Sequence, residues 1–137
     1  MKSCSICARK CAVVRPVSVK AGDGPGACRC GTNPVVARAA LHHWEEPCIS
    51  GTKGSGTVFF SGCNLHCVFC QNYDISSRFQ GREIGAARLR EIYFELIGQS
   101  AHNINLVTPT HFTEEILESL AEPLPVPVVW NTNGYDT

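Results

Sequence analysis

From Thr57 onward the apolar and polar positions fall into blocks whose period changes. "TVFFS" (57–61) is a short β-branched and aromatic run, which predicts a buried strand. "REIGAARLREIYFELIGQS" (82–100) sets Leu89, Ile92, Tyr93, Leu96 and Ile97 at helical spacing, with Gly98 near its end as a stop. "INLVT" (104–108) predicts a second strand, ended by Pro109. Thr113, followed by Glu114 and Glu115, opens a second helix, with the hydroxyl placed to cap it and the acids suited to its dipole. Ile116, Leu117 and Leu120 give that helix an apolar face. Pro123, Pro125 and Pro127 forbid further helix, and "VPVVW" (126–130) reads as a third strand.

Strand–helix–strand–helix–strand predicts right-handed parallel crossovers, and so an α/β sheet or barrel. In such folds the chemistry sits in loops at the carboxyl ends of strands. Three stretches occupy that position: residues 62–72, then Thr108-Pro109-Thr110-His111, then Asn131-Thr132-Asn133-Gly134. They are expected to converge on one face.

The chain before Thr57 is different in kind. Residues 1–40 are rich in Cys, Gly and Arg, and "AGDGPGACRCG" is too Gly-rich for regular structure. The segment reads as a small module held by its cysteines rather than by a core. Residues 41–56 read as a linker, with turn signals at Pro47, Gly51, Gly54 and Gly56. "GTKGSGT" lacks the Gly-Lys-Ser/Thr ending of a phosphate loop. His42 and His43 beside Trp44 read as packing or surface residues.

Twelve basic and twelve acidic residues cancel, so nothing marks a nucleic-acid footprint. No apolar run is long enough to span a bilayer, and the first residues do not open a signal peptide, so a cytoplasmic protein is expected. The nine cysteines all lie between Cys4 and Cys70. An odd count without a secretion signal points to metal or redox chemistry rather than a disulfide framework.

"SGCNLHCVFCQN" (61–72) holds Cys63, Cys67 and Cys70 with gaps of three and two residues. A structural zinc wants four ligands, and His66 or Cys48 could complete the set. A catalytic zinc accepts three ligands plus water, but usually with some imidazole. A 4Fe–4S cluster on three thiolates would keep one iron free for a substrate. Cys4, Cys7, Cys11 and Cys28, with gaps of two, three and sixteen, suit a zinc site or a second iron–sulfur cluster. Cys48 reads as a buried thiol.

The pattern Cys-x-x-x-Cys-x-aromatic-Cys, here Cys63, Cys67, Phe69 and Cys70 after a first strand, resembles the radical S-adenosylmethionine (SAM) superfamily. "HHWEEPCISGTKGSGTVFFSGCNLHCVFCQN", "NINLVTPTHF" and "WNTNGY" resemble uncharacterised proteins similar to pyruvate formate-lyase activating enzyme. The likeness runs from the first cysteine group to the end and takes in Cys4, Cys7, Cys11 and Cys28, with Cys30 outside it.

The resemblance implies a partial (βα) barrel over residues 57–137, preceded by the Cys-rich module. It implies a 4Fe–4S cluster on Cys63, Cys67 and Cys70 whose open iron chelates SAM. Reductive cleavage would leave methionine and a 5′-deoxyadenosyl radical for hydrogen abstraction, with the cofactors doing the hard chemistry. Phe69 would sit near the adenine, or else pack as a core aromatic. His66 would tune the cluster, or else be an exposed loop residue. Many members bind the SAM amino group through a Gly-Gly-Glu-like segment after the second strand. This chain has Thr108, Thr110 and His111 there, and they become candidates by placement, as do Asn131, Thr132 and Asn133.

A low-potential donor such as a flavodoxin or ferredoxin is implied, and the target would be a glycyl-radical enzyme, another protein or a small molecule. Barrels of this kind have about six βα units and rarely fall below roughly 200 residues. With three units, the chain is expected to be a fragment, a truncated open reading frame or half of a split protein, binding a cluster poorly alone, with little or no turnover, and leaving its third strand as an open edge. The competing readings are a non-catalytic zinc-binding module and a small iron–sulfur electron carrier.

Overall fold

A computed structural model of the chain describes residues 3–44 and 46–137. Five strands, β1 (Val35–His42), β2 (Ser55–Phe60), β3 (Arg82–Glu83), β4 (Ile104–Val107) and β5 (Val128–Asn131), make one mixed sheet in the order β3-β1-β2-β4-β5. β2 (Ser55–Phe60), β4 (Ile104–Val107) and β5 (Val128–Asn131) are parallel neighbours, as their alternation with helices predicts. Among the described residues the sheet is open, with β3 and β5 at its edges.

β1 (Val35–His42) is the element that pattern reading misses. "VVARAALH" is rich in alanine and interrupted by Arg38, so it shows little strand propensity. It is a strand because it pairs antiparallel with β2 on one side and with the two-residue β3 (Arg82–Glu83) on the other. A bulge between Val36 and Arg38 absorbs its register shift against β2. β1 runs from the Cys-rich region into the expected linker, which also holds the one-turn α1 (Pro47–Ser50) and the start of β2.

After the one-turn α2 (Tyr73–Ser76), α3 (Ala86–Gly98) buries Leu89, Ile92, Tyr93 and Leu96, and ends at Gly98 as the sequence predicts. It begins later than the apolar pattern alone suggests, because Arg82 and Glu83 are spent on pairing with β1. α4 (Thr113–Ser119) departs from expectation twice. The Thr113 hydroxyl donates to the Thr110 carbonyl (2.6 Å) and caps nothing, since a short 3₁₀ turn over Thr110–Phe112 leads straight into the helix. Leu117 faces outward at 61% exposure while Ile116 is fully buried, because one residue along a helix turns the side chain by about 100°.

Strand alternation gives the sheet two different faces. Val58, Phe60, Ile104 and Leu106 point to the side covered by α3 and α4, where Phe112, Leu89 and Ile116 complete a dry core. The other side carries Thr57 beside Asn105 and Phe59 beside Val107, with Asn131 next to Val107 on β5. Asn105 is fully buried there, and neither atom of its amide has a hydrogen-bond partner. No helix among the described residues is long and apolar enough to cross a membrane.

Candidate functional site

β2 ends at Phe60, and the chain turns through Ser61 and Gly62 into the cysteine loop. Gly62 has a left-handed φ of 78°, and a Cβ there would lie 2.7 Å from the Cys30 sulfur. The position therefore requires glycine on two grounds, conformation and space. Gly62→Ala is expected to cost about 2–4 kcal/mol, combining left-handed strain with overpacking. Gly134 has a similar φ of 77° but nothing within 4 Å of its missing Cβ, so Gly134→Ala isolates the strain alone. Equal losses in denaturant unfolding for the two variants would refute the steric part.

Beyond Gly62 the loop is fixed from both sides. Asn64 is fully buried; its amide donates to the Tyr135 carbonyl (2.9 Å), and its oxygen accepts from Asn133 (2.8 Å). The Asn133 side-chain nitrogen also lies 3.6 Å from the Cys63 sulfur, which accepts the Leu65 N–H at 3.3 Å. The Cys70 N–H donates to the Cys67 carbonyl (3.2 Å), turning those two residues together, and the Ser76 hydroxyl lies 3.5 Å from the Cys70 sulfur.

The three loops do converge. Cys67, Phe69, Cys70, Thr108, Asn131 and Asn133 line one open groove of about 900 Å³, with Trp44 at its margin. That size lies in the range of small-molecule sites. Phe69 is 85% exposed on the groove wall, so it is not a core aromatic. Thr108 holds a φ of 57°, unusual for a β-branched residue, with its N–H on the Asn131 carbonyl (3.0 Å). Cys63 is buried at the root of the loop.

Thr110 and His111 sit behind the groove instead. Thr110 hydrogen-bonds Asp136, whose other oxygen accepts from Thr132 (2.6 Å). His111 is 2% exposed, with Nε2 2.8 Å from the Ser61 carbonyl. A carbonyl only accepts, so Nε2 carries the proton and Nδ1 is a bare lone pair without a partner. Burial brings the His111 pKa down to about 4, which keeps the ring neutral.

The cysteine-rich segment packs directly under this loop. Arg9 donates to the Asn64 (2.7 Å) and Leu65 (3.2 Å) carbonyls, and His66 reaches the Ala27 carbonyl at 2.8 Å. His66 is thus a half-buried tie between the two regions rather than an exposed loop residue. Arg15 is buried and donates to the carbonyls of Cys30 (3.2 Å), Gly31 and His111 (2.7 Å). Hydrogen bonding from Cys30, with the Arg15 charge, brings Cys28 down to about 6 against its burial. The same pairing, with burial, pushes Cys30 up. Cys48 is an exposed thiol, not a buried one, because it lies on the short α1 at the surface.

All nine cysteines are free thiols, and among the described residues no three His, Cys, Asp or Glu side chains form a ready-made metal site. Sequence reasoning missed Asn64, Arg9, Arg15 and Asp136. None carries a motif: Asn64, Arg9 and Arg15 act through backbone carbonyls far away in the chain, and Asp136 through the hydroxyls of Thr110 and Thr132.

The donor set fits an iron–sulfur group: three thiols on one loop, two of them facing an open groove, with hydrogen-bond donors at the sulfurs of Cys63 and Cys70. An uncharacterised protein of Methanocaldococcus jannaschii is 33% identical over 145 aligned positions, covering 99% of this chain and 40% of that protein. The chain thus spans about 40% of the length of the curated relative it matches. No solved structure matches it. Residues 49–137 match the family model described as a 4Fe-4S single cluster domain, an iron–sulfur domain associated with radical SAM proteins. The match takes in the parallel strands β2, β4 and β5 and all three loops that follow them into the groove, so the chain belongs to the 4Fe–4S single cluster domain family.

Proposed function

We propose that the chain is the cluster-binding part of a radical SAM enzyme related to pyruvate formate-lyase activating enzyme. The observation that carries this reading is the groove: three loops at the carboxyl ends of parallel strands meet there, and Cys67 and Cys70 line it beside an exposed aromatic ring. A 4Fe–4S cluster on Cys63, Cys67 and Cys70 supplies, when bound and reduced, an open iron for SAM and the electron that splits its sulfonium bond into methionine and a 5′-deoxyadenosyl radical.

The residues of the chain bind and orient. Phe69 offers a flat face to the adenine, and its exposure supports that role. Asn131 and Thr108 offer polar groups from the adjoining strands. Asn133 holds the Cys63 sulfur and, through Asn64, the shape of the loop. Thr110 and His111 act from behind, Thr110 through Asp136 and His111 through the Ser61 carbonyl. The electron donor in this reading is a flavodoxin or ferredoxin in the reducing cytoplasm, and the target is a glycyl-radical enzyme or another protein.

The test is anaerobic reconstitution with iron and sulfide, with electron paramagnetic resonance spectra before and after SAM. The expected result for the longer M. jannaschii protein is a spectral shift on SAM addition and release of 5′-deoxyadenosine under a low-potential reductant, while this chain alone holds its cluster poorly and shows little or no turnover. A colourless protein holding only zinc would refute the reading. A cluster indifferent to SAM, both here and in the longer M. jannaschii protein, would make the domain an electron carrier.

A further inference from the structure

A second site lies beneath the first. Cys4, Cys7, Cys11 and Cys28 come from two separate stretches of the chain, yet all four line one small cavity, together with Arg15 and His111. We propose that this cavity is a mononuclear zinc site, with Cys4, Cys7, Cys11 and Cys28 as its four thiolate ligands.

The backbone makes the arrangement. Cys4 pairs with the strand leaving the turn, its N–H on the Val13 carbonyl (2.7 Å) and its carbonyl accepting from Ala12 (3.0 Å). The Lys10 N–H closes on the Cys7 carbonyl (3.0 Å), and Lys10 and Ala12 take left-handed φ values of 46° and 55°. This tight reversal puts Cys4, Cys7 and Cys11 on one side. The second stretch brings Cys28 across, and its Ala27 N–H lies 3.4 Å from the Cys11 sulfur. Gly26 lets the two stretches approach, since a Cβ there would stand 3.2 Å from Val13 and 3.5 Å from the Cys11 sulfur. Cys30, two residues beyond Cys28, is not in the set: its sulfur is directed to the Cys28 and Ser61 carbonyls.

The cavity as it stands measures about 10 Å³, room for roughly one water-sized sphere, which suits a single ion. Thiolate sets of four with tight pairs favour zinc in closed tetrahedral sites. Charge agrees. Four thiolates and one Zn²⁺ leave two negative charges, and two cations, Lys10 and Arg15, line the same cavity. The four side chains are not yet gathered into a ready-made site, so binding must draw the sulfurs together around the ion.

The experiment uses the full chain carrying Cys63→Ala, Cys67→Ala and Cys70→Ala, which removes the other thiol site. Titrated anaerobically with Co²⁺, this protein is expected to bind about one equivalent, with the sulfur charge-transfer bands of a tetrahedral thiolate site, and to release it to Zn²⁺. Adding Cys11→Ser should weaken cobalt binding by at least about tenfold. In case the quadruple variant fails to fold, the wild-type chain purified anaerobically supplies a second measurement: about one zinc per chain, whatever iron the other loop retains. Absence of a cobalt–sulfur spectrum in the triple variant, or no zinc in the wild type, would overturn the assignment.

Discussion

Cys67→Ala is expected to drop the iron and sulfide that the anaerobically reconstituted chain retains to background. It should leave the amino-terminal zinc at about one per chain. Each thiolate anchors one iron of the cluster, so removing one of three leaves two irons without protein ligands. Cys67 is the informative position because its neighbours have further duties. The Cys63 sulfur is also bonded by Leu65 and Asn133, and the Cys70 sulfur by Ser76, so changing either would disturb the loop as well as the ligand set. Cys67 lines the groove, where alanine leaves the surrounding contacts standing. Iron and sulfide analysis decides the matter. Wild-type iron in Cys67→Ala would remove this residue from the ligand set.

Arg15→Ala is expected to be the most damaging single change outside the cysteines, costing about 3–5 kcal/mol. The guanidinium is buried and serves three carbonyls on two parts of the chain: Cys30 and Gly31 in the cysteine-rich segment, and His111 behind the groove. Its removal strands buried acceptors and separates the two regions. For a chain of this length the loss corresponds to a fall of about 10–20 °C in Tm. Arg15→Lys should recover only a minor part, since an ammonium cannot spread donors in a planar fork. Thermal unfolding by circular dichroism measures both variants. A Tm within about 2 °C of wild type for Arg15→Ala would show that the carbonyls find other partners.

These two residues mark where reading the sequence succeeds and where it stops. Cys67 was legible because its chemistry is local: three thiols within eight residues, next to a run that can only be a strand. The convergence of the loops was legible too, since parallel strands bring their carboxyl ends to one side whatever the details. Arg15 was not, because nothing near it in the chain names the carbonyls of His111 or Cys30. β1 escaped for a related reason: its alanines have little strand preference, and pairing with β2 and β3 supplies the stability instead. His111 was found as a candidate residue, but its side was not. Placement after β4 says that it is near the groove, while only the packing shows it turned toward the Ser61 carbonyl and the cysteine cavity.

The tie between the amino-terminal turn and the loop after β5 also sets an order of events during synthesis. Cys7 makes a backbone bridge to Asp136, and Thr137 donates to the Ile6 carbonyl across 131 residues of chain. A ribosome adding about 5–20 residues per second delivers that partner roughly ten seconds after the first cysteines emerge. During that interval the turn that carries Cys4, Cys7 and Cys11 lacks the partner that ties it to the loop after β5. The order in which the cell offers zinc, iron and oxygen therefore bears on the fate of each newborn chain before its groove exists.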